Sequence, residues 1–573
     1  MQKYAAVDIE TTGLHPYNGT IWMLSYYDGK KVKVWHNCFG KTNYFNEIKH
    51  ILEDPAICKV IQSAEFDGPY IELNTGIKIE NIWDTKLCEQ VIIGLNVSRS
   101  KGAPTPEREE QLKKYSSSLK YMVTRYGLPE TDKTIRTNFI DRPKGLAFTK
   151  PEIKYAGYDA EVLLPIRKAQ EFLLTRDGQL EVALLENKVV ERVIQMKVLG
   201  LGFDKNIWRK ITLDNQARYD KLLTELPKTV GNWNSPKQVK EYFFSKGILI
   251  NSFDDLQNTL ARTNNNTLRT FIETRELFTQ ISKYGLSWLD SVDTDNRIRC
   301  SWEQILSTGR FAVSNPPIHG LKTEGLHRSA FVPKKGHVFV IGDYSGQEIG
   351  IMAAKANERI WIDAMLRKDD IHALTASIVF RDKWVAGKEK GCTFPKKCQC
   401  KAHIKFRQDA KINNFMLAYG GGVYKFMEQT GYDEKTASAI VKQHKRAIPS
   451  VVRWLNNNAK QAVRTGVSYS ADPYRRRRLL KENEEWKVAN QGKNNPVQAA
   501  GANMVKLAMI SIPKELPIVF VWHDEIILEV PKTLGKKASA ILKDVMEKTA
   551  DYITGIKGLI NVEPRIASNL LKQ

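Results

Sequence analysis

The chain has 573 residues, too many for a single hydrophobic core, so roughly two to four domains are expected. Its 87 Lys and Arg against 64 Asp and Glu leave a net charge of +23, a balance that suits a polyanionic partner because neutralised phosphates release counterions. With 12 Trp, 21 Tyr and 21 Phe the composition excludes disorder, and no run approaches the ~18 uninterrupted apolar residues of a membrane helix. The first residues enter a strand-like run without signal-peptide architecture, so a soluble, cytoplasmic protein with no membrane partner is expected.

Strand-like runs at 4–9, 32–35 and 60–63, with helical stretches at 41–52 and 118–126, predict an α/β unit over the first 170 or so residues. The polar, Pro-containing segment 98–110 reads as a surface loop. At the end of the first strand, Val7-Asp8-Ile9-Glu10 puts two carboxylates on one face by period-two alternation. Such a pair repels unless cations neutralise it. Asp67 follows another apolar run, and Tyr155 and Asp159 stand one helical turn apart. Two metals about 3.5–4 Å apart, bridged by such acids, activate water and stabilise the leaving oxygen in phosphodiester cleavage. These residues, with Trp83-Asp84-Thr85 and Ser118-Leu119-Lys120, resemble the three motifs of the DEDD-type 3′–5′ exonucleases, in the subclass with Tyr in the third motif. The resemblance implies an RNase H-like domain over 1–175 in which Asp8, Glu10, Asp67 and Asp159 bind metals and Tyr155 orients the attacking water. Ser63 stands where that family usually has Asn, so strand handling is expected to differ there.

Residues 178–199 read as a helix ending at the turn-like Gly200-Leu201-Gly202, with a domain boundary near 170–185. About 130 mostly helical, polar residues follow, with a loop tip at 264–266. A strand at 337–341 runs into Gly342-Asp343-Tyr344-Ser345, and a hairpin at 518–530 carries His523-Asp524-Glu525 at its tip. Alone, hairpin-tip acids fit a solvated turn. If the two strands are neighbours, Asp343 and Asp524 can share two Mg²⁺, one lowering the pKa of a primer 3′-hydroxyl and one holding a triphosphate.

Between these strands, 407–420 reads RQDAKINNFMLAYG, with Arg407, Lys411, Phe415 and Tyr419 four apart. On a helix, two cations about 6 Å apart along the axis can follow a row of phosphates, and two rings on the next turns can meet a sugar and a base. The same residues also fit an ordinary amphipathic helix that buries Phe415, Leu417 and Tyr419.

Taken together, Asp343 to Glu348, the 407–420 helix and His523-Asp524-Glu525 resemble motifs A, B and C of the family A, polymerase-I-like DNA polymerases. Asn234-Ser-Pro-Lys-Gln238, Thr308-Gly309-Arg310, Asp370-Ile-His372 and Asn495-Pro-Val-Gln498 resemble that family's accessory signatures. The resemblance implies an α+β right-hand domain over 185–573, with thumb at about 185–300, palm at about 300–345 and 490–573, and fingers at about 346–489. It assigns Asp343, Asp524 and Glu525 to catalysis, with Tyr344 beside them at the metals and nucleotide. Arg407, Lys411 and His372 would meet phosphates, Lys411 also serving as proton donor to pyrophosphate. Phe415 would lie by the sugar, Tyr419 by the templating base, and Glu348 would exclude a ribose 2′-hydroxyl. Arg310, Gln498 and His523 would contact DNA. His319 and Gly320 stand where the family usually has Gln and Asn, and Asn490 where it commonly has Arg.

The 7 Cys fit a reducing compartment. Cys38, Cys58, Cys88 and Cys300 are scattered, whereas Cys392, Cys398, Cys400 and His403 lie in a segment longer than the family norm. Three thiols and an imidazole can form a tetrahedral zinc set, although C-x5-C-x-C-x2-H matches no common zinc pattern, and the alternative is free thiols in a surface insertion. Segment 381–411 holds ten Lys/Arg against three Asp/Glu, and Tyr474-Arg475-Arg-Arg-Arg478 is a second basic run. Each reads either as a solvated face or as a track for template phosphates.

The expected protein is therefore a template-directed DNA polymerase with 3′–5′ proofreading. It would use primer-template DNA, dNTPs and two Mg²⁺ per active site, with Mn²⁺ as a substitute. The compact arrangement resembles phage replicative polymerases, acting as a monomer in the host cytoplasm, with replisome partners that the chain does not identify. A nuclease whose C-terminal part only binds DNA is opposed by intact Asp343, Lys411 and Asp524. A single-subunit RNA polymerase is opposed by Glu348 and the exonuclease motifs.

Overall fold

The computed structural model describes residues 2–95, 105–250, 252–253, 256–323 and 325–572. Lys3–Thr11 is the middle strand of a five-stranded sheet. It pairs antiparallel with Ile21–Tyr27, which pairs with Val32–His36; its other edge runs parallel to Ile57–Ile61 and then Ile82–Asp84. The central strand is apolar on both faces up to its carboxylates because helices cover it, among them Lys150–Glu161, which a Thr149/Glu152 capping box starts.

The second sheet is antiparallel, in the order Ile518–Trp522, Glu525–Pro531, His337–Asp343, Arg565–Ala567. Its register sets Asp343 directly opposite Glu525. Helix Gly535–Thr554 packs behind it, Glu485–Ser511 packs on that helix, and Lys401–Ala418 stands across from its acidic end.

The two parts share one element. Helix Leu180–Leu199 gives Val182, Ala183, Val190 and Ile194 to the core of the first sheet and Leu185, Val189, Val193 and Met196 to that of the second. A helix apolar on two faces is buried on both, so the expected boundary near 170–185 falls on a shared beam. In its middle, Glu186 is fully buried and accepts from Lys506 Nζ at 2.7 and 2.9 Å, from Gln304 Nε2 at 2.6 Å and from Arg476. Burial opposes its charge, yet Lys506 and then Arg476 hold its carboxyl below the usual range.

Glu186 also resolves part of the basic run. Arg476 is spent on Glu186 and Asn503, and Arg477 on Asp177 at 2.9 Å and the Ile92 carbonyl. These two arginines brace the chain and do not form a phosphate track. Glu186→Leu leaves two buried cations uncompensated and should destabilise the protein by about 3–5 kcal/mol. A thermal melt should show the loss as a fall of several degrees; an unchanged transition would contradict the role given to this network.

Three local expectations are corrected. Residues 98–104 of the predicted loop lie outside the described residues, but its remainder is helical. Pro106–Tyr115 starts with Pro in its first turn behind the Thr105 cap, which is how Pro enters helices. The stretch 41–52 is a 3-10 turn, Asn43–Glu47, and one short turn, Lys49–Leu52, neither with a side-chain cap bond at its N-terminus. Gly200 makes the predicted turn at φ +66°, but Leu201 and Gly202 then pair as a short strand with Ile298 and Arg297. The tip at 264–266 turns at Asn264, φ +46°, and Asn265 caps the next helix.

Candidate functional site

At the first sheet, Asp8, Glu10 and Asp159 each bring a carboxylate oxygen within 4.8 Å of the others. Asp67 is 4% exposed on helix Ala64–Thr75, and among the described residues its Oδ2 has no hydrogen-bond partner. That helix is held by Asp84, whose carboxylate accepts from the backbone N–H of Ser63 and Ala64 as well as those of Lys86 and Leu87. Desolvation, then the neighbouring carboxylate Asp159, pushes Asp8 up to about 8. Glu10 and Asp67 are raised well above the carboxylate range by burial first and Asp8 second. A cluster that resists ionisation and leaves a buried oxygen unbonded fits divalent cations, which supply the missing charge. Tyr155, one turn before Asp159, is buried beside it, with its hydroxyl held protonated by burial and by the Asp159 charge. Lys133 lies against Asp159 with its ammonium 4.9 Å from the centre of the Tyr155 ring. Sequence reasoning missed Lys133 because segment 127–149 has no periodicity.

At the second sheet, Asp343 ends its strand and Asp524 lies in the hairpin turn, just after His523 at φ +59°. Burial and the facing Asp343 raise Asp524 to about 7. Glu525 behaves differently: despite burial, Arg328 holds it below the usual range, with Nη2 2.7 Å from Oε2 and the guanidinium 4.0 Å over the Trp522 ring. Lys572 Nζ sits 2.9 Å from Asp343 Oδ2 and 2.8 Å from Glu525 Oε1. Neither Arg328 nor Lys572 was read from the sequence, since both reach the site only through distant pairing. Tyr344 lines the same end of the site. Its ring is buried and its hydroxyl is within 2.8 Å of Thr549 Oγ1, so any contact with metal or nucleotide is left to its main chain.

A cleft of about 340 Å³ joins Asp524, Tyr344 and His523 to Glu348, Phe415 and Tyr419. Glu348, in the first turn of Gln347–Ala356, accepts from Arg310 Nη2 at 2.5 Å and from the Tyr419 hydroxyl at 3.2 Å. Gln498 donates to the same hydroxyl at 2.9 Å. Arg407 and Lys411 follow one another up helix Lys401–Ala418, with Lys411 exposed; Tyr419 is its C-cap, so the predicted four-residue ladder ends just past the last turn. Arg407 Nε donates to Asp370 Oδ2 at 2.6 Å, while Asp370 Oδ1 caps the helix that begins at Ile371. His372 is pushed down to about 4 by burial and by Arg407, so its neutral ring can hydrogen-bond but adds no charge. His319 faces the Val521 carbonyl at 2.9 Å, and Asn490 packs so closely on Gly420 that a Cβ there would lie 1.9 Å from its Oδ1.

The third set is Cys392, Cys398, Cys400 and His403, whose ligand atoms all lie within 4.8 Å of one another. His403 Nδ1 is 3.2 Å from Cys398 Sγ and 3.6 Å from Cys392 Sγ, and Nε2 lies 2.7 Å from the Trp384 carbonyl. With Nε2 protonated toward that carbonyl, Nδ1 turns a lone pair toward the sulfurs, as metal-binding histidines do. Trp384 stacks on the imidazole at 3.7 Å and 2°.

Comparison with known proteins gives the class. Residues 206–570 match the family model described as DNA polymerase family A, and residues 1–172 match that of 3′-5′ exonucleases; the chain belongs to the family A DNA polymerases, with an exonuclease-type domain in front. It is 25% identical over 417 residues to DNA polymerase I of Caldicellulosiruptor bescii and 26% over 415 to that of Lactococcus lactis, covering 67% of this chain in each case but 46% and 45% of those proteins. The chain thus spans less than half the length of these relatives. It is 23% identical to the DNA polymerase of Mycobacterium phage D29, over 99% of this chain and 92% of that one. Its fold matches the polymerase domain of Pol1 from M. smegmatis, in complex with DNA primer-template and dNTP, with a TM-score of 0.80 at 18% identity over 99% and 95% of the chains. No helix among the described residues is long and apolar enough to cross a membrane.

Proposed function

We propose that this chain extends a DNA primer with dNTPs at the Asp343–Asp524 cleft and removes 3′-terminal nucleotides at the Asp8–Asp159 cluster, in the replication of a phage genome. The observation that carries this reading is the cleft itself. Asp524 lines it, beside the paired strand ends of Asp343 and Glu525, and Phe415 and Tyr419 line it from the helix that carries Arg407 and Lys411 on its earlier turns. When bound, two Mg²⁺ (or Mn²⁺) at each carboxylate set would activate the attacking oxygen and stabilise the leaving one. Asp343, Asp524 and the main chain of Tyr344 would hold one pair, with Glu525 close by; Asp8, Glu10, Asp67 and Asp159 would hold the other. Cys392, Cys398, Cys400 and His403 hold a structural Zn²⁺.

Arg407, Lys411 and the neutral His372 bind phosphates, and Lys411 gives a proton to pyrophosphate. Phe415 lies on the sugar and Tyr419 on the base pair. Glu348, fixed by Arg310 and Tyr419, occupies the space of a ribose 2′-hydroxyl. Arg310, Gln498 and His523 contact DNA, and Tyr155 orients water for excision. In this reading residues 1–175 form the exonuclease, about 185–300 the thumb, about 300–345 with 490–573 the palm, and about 346–489 the fingers. The protein works as a monomer in the cytoplasm.

Primer extension tests the reading: dNTPs should be added only with a divalent cation, and rNTPs poorly. No extension, or equal use of rNTPs, would sink it. Phe415→Tyr, by adding a hydroxyl beside the sugar, should raise dideoxynucleotide incorporation about tenfold or more. Unchanged dideoxy incorporation would remove Phe415 from the sugar.

Cation binding also has a pH signature. Without metal, Asp8 keeps its proton up to about 8, whereas an unfolded Asp loses it near its ordinary value of 3.8. The folded state therefore binds more protons between these values, and this contribution to stability falls as pH rises through that window. Mg²⁺ replaces those protons, so the rise in melting temperature that it causes should be larger at about pH 8.5 than at about pH 6. Thermal melts with and without Mg²⁺ at both pH values decide it, and an equal rise would count against cation binding there.

A further inference from the structure

The thiol cluster is built into the foundations of the nucleotide-binding helix. Cys400 is the N-cap of Lys401–Ala418 and His403 lies in its first turn, so two of the four ligand atoms belong to the end of the helix that carries Arg407. The other two come from the preceding loop, which is tied to the neighbouring turn. Asp370 N–H donates to the Pro395 carbonyl at 2.9 Å. Lys396 Nζ donates to the Arg367 carbonyl at 2.6 Å, the Lys368 carbonyl at 2.9 Å and Asp369 Oδ1 at 2.9 Å. Asp370 in turn fixes two of the three phosphate candidates: its side chain accepts from Arg407 and from the His372 backbone N–H. The helix that supplies Trp384 approaches equally closely, since a Cβ on Gly387 would lie 2.6 Å from Ala402 Cβ.

Resting on the polymerase reading, we infer that one Zn²⁺ held by Cys392, Cys398, Cys400 and His403 locks the N-terminal end of the Lys401–Ala418 helix to the Asp370–His372 turn, and thereby sets the affinity for the triphosphate of the incoming nucleotide. The distances suit the ion. Ligands about 2.0–2.3 Å from a tetrahedral zinc lie about 3.4–3.8 Å from one another, close to the sulfur–nitrogen separations present. The ligands are themselves held in place: the Trp384 carbonyl takes the far imidazole proton, and the Glu389 backbone N–H donates to Cys400 Sγ at 3.4 Å. Three thiolates and a neutral imidazole around Zn²⁺ carry a net charge of −1, which the lysines at 388, 390, 396, 397 and 401 offset. Binding forms three Zn–S bonds and one Zn–N bond and releases the thiol protons to solvent, with no change of oxidation state. Arg407 and Lys411 remain the groups that meet phosphate; the cluster is a positioning device.

The test uses the full-length protein. Metal analysis should return about one zinc per chain, and replacement by Co²⁺ should give the visible absorption of a tetrahedral thiolate site. Cys398→Ser should lose the metal and raise the dNTP KM roughly tenfold or more, with a much smaller change in kcat. Excision of single-stranded DNA at the Asp8 site should be unchanged, which shows that the chain is still folded. Cys392→His, which keeps a ligand at the half-exposed corner, should retain zinc and a near-normal KM. A wild-type protein that extends primers without bound zinc overturns the inference, as does zinc that is lost from Cys398→Ser while the KM stays the same. A wild-type protein that binds zinc but extends no primer instead removes the polymerase reading on which the inference rests.

Discussion

Asp343→Asn should abolish primer extension while leaving 3′–5′ excision intact. The substitution keeps the size of the side chain and removes the charge that the neighbouring strand sets beside Asp524. Removing a group aimed at transition-state charge costs on the order of 10²–10³-fold in rate, and losing a carboxylate that also holds a metal should cost at least about 10³-fold. Folding should not suffer. Asp343 raises the proton affinity of Asp524, so the variant relieves a repulsion, and Lys572 keeps Glu525 as a partner. A single-turnover extension assay beside a melt separates the cases: lost extension with an unchanged or higher melting temperature is the expected pair. Extension within tenfold of wild type would take Asp343 out of the reaction.

Asp8→Ala should do the reverse. Excision should fall by about 10³-fold or more, while extension of a correctly paired primer continues at its normal rate. Burial first and neighbouring carboxylates second raise the proton affinity of Asp8, Glu10 and Asp67, with Asp8 contributing to the rise at the other two, so in metal-free buffer the variant should melt no lower than wild type. Mg²⁺ should then raise its melting temperature by less than it raises that of wild type. Unimpaired excision would mean that Asp8 is not part of the chemistry.

Most acids of the two sites were legible because they close an apolar strand or follow an apolar run, and Asp159 because it stands one helical turn after Tyr155. At such a position a charge is hard to explain by packing: Asp8, Glu10, Asp343 and Asp524 all stand out this way. The cationic helix was legible from four-residue spacing, but its base was not. That Asp370 ties Arg407 to the cysteine loop depends on one backbone bond to Pro395 and one carboxylate contact, between segments that no periodicity links. Arg328 and Lys572 were invisible for the same reason: each meets Glu525 across a long stretch of chain. The Arg475 to Arg478 run misled because charge density says nothing about burial, and Arg476 turns inward to Glu186. The helix at 106–115 was missed for a different cause. Pro106 was weighed as a loop residue, although Thr105 before it and Glu107 after it are a helix-start pattern.

The central claim is that one chain carries two separate carboxylate centres, one that lengthens a DNA strand and one that shortens it. The direct measurement follows product lengths from a primer bearing a single 3′-terminal mismatch, with template, dNTPs and Mg²⁺. Wild type should shorten this primer before extending it. Asp8→Ala should stall at the mismatch yet extend a matched primer, and Asp343→Asn should shorten both without extending either. Extension that survives Asp343→Asn, or trimming that survives Asp8→Ala, would contradict the assignment of the two centres.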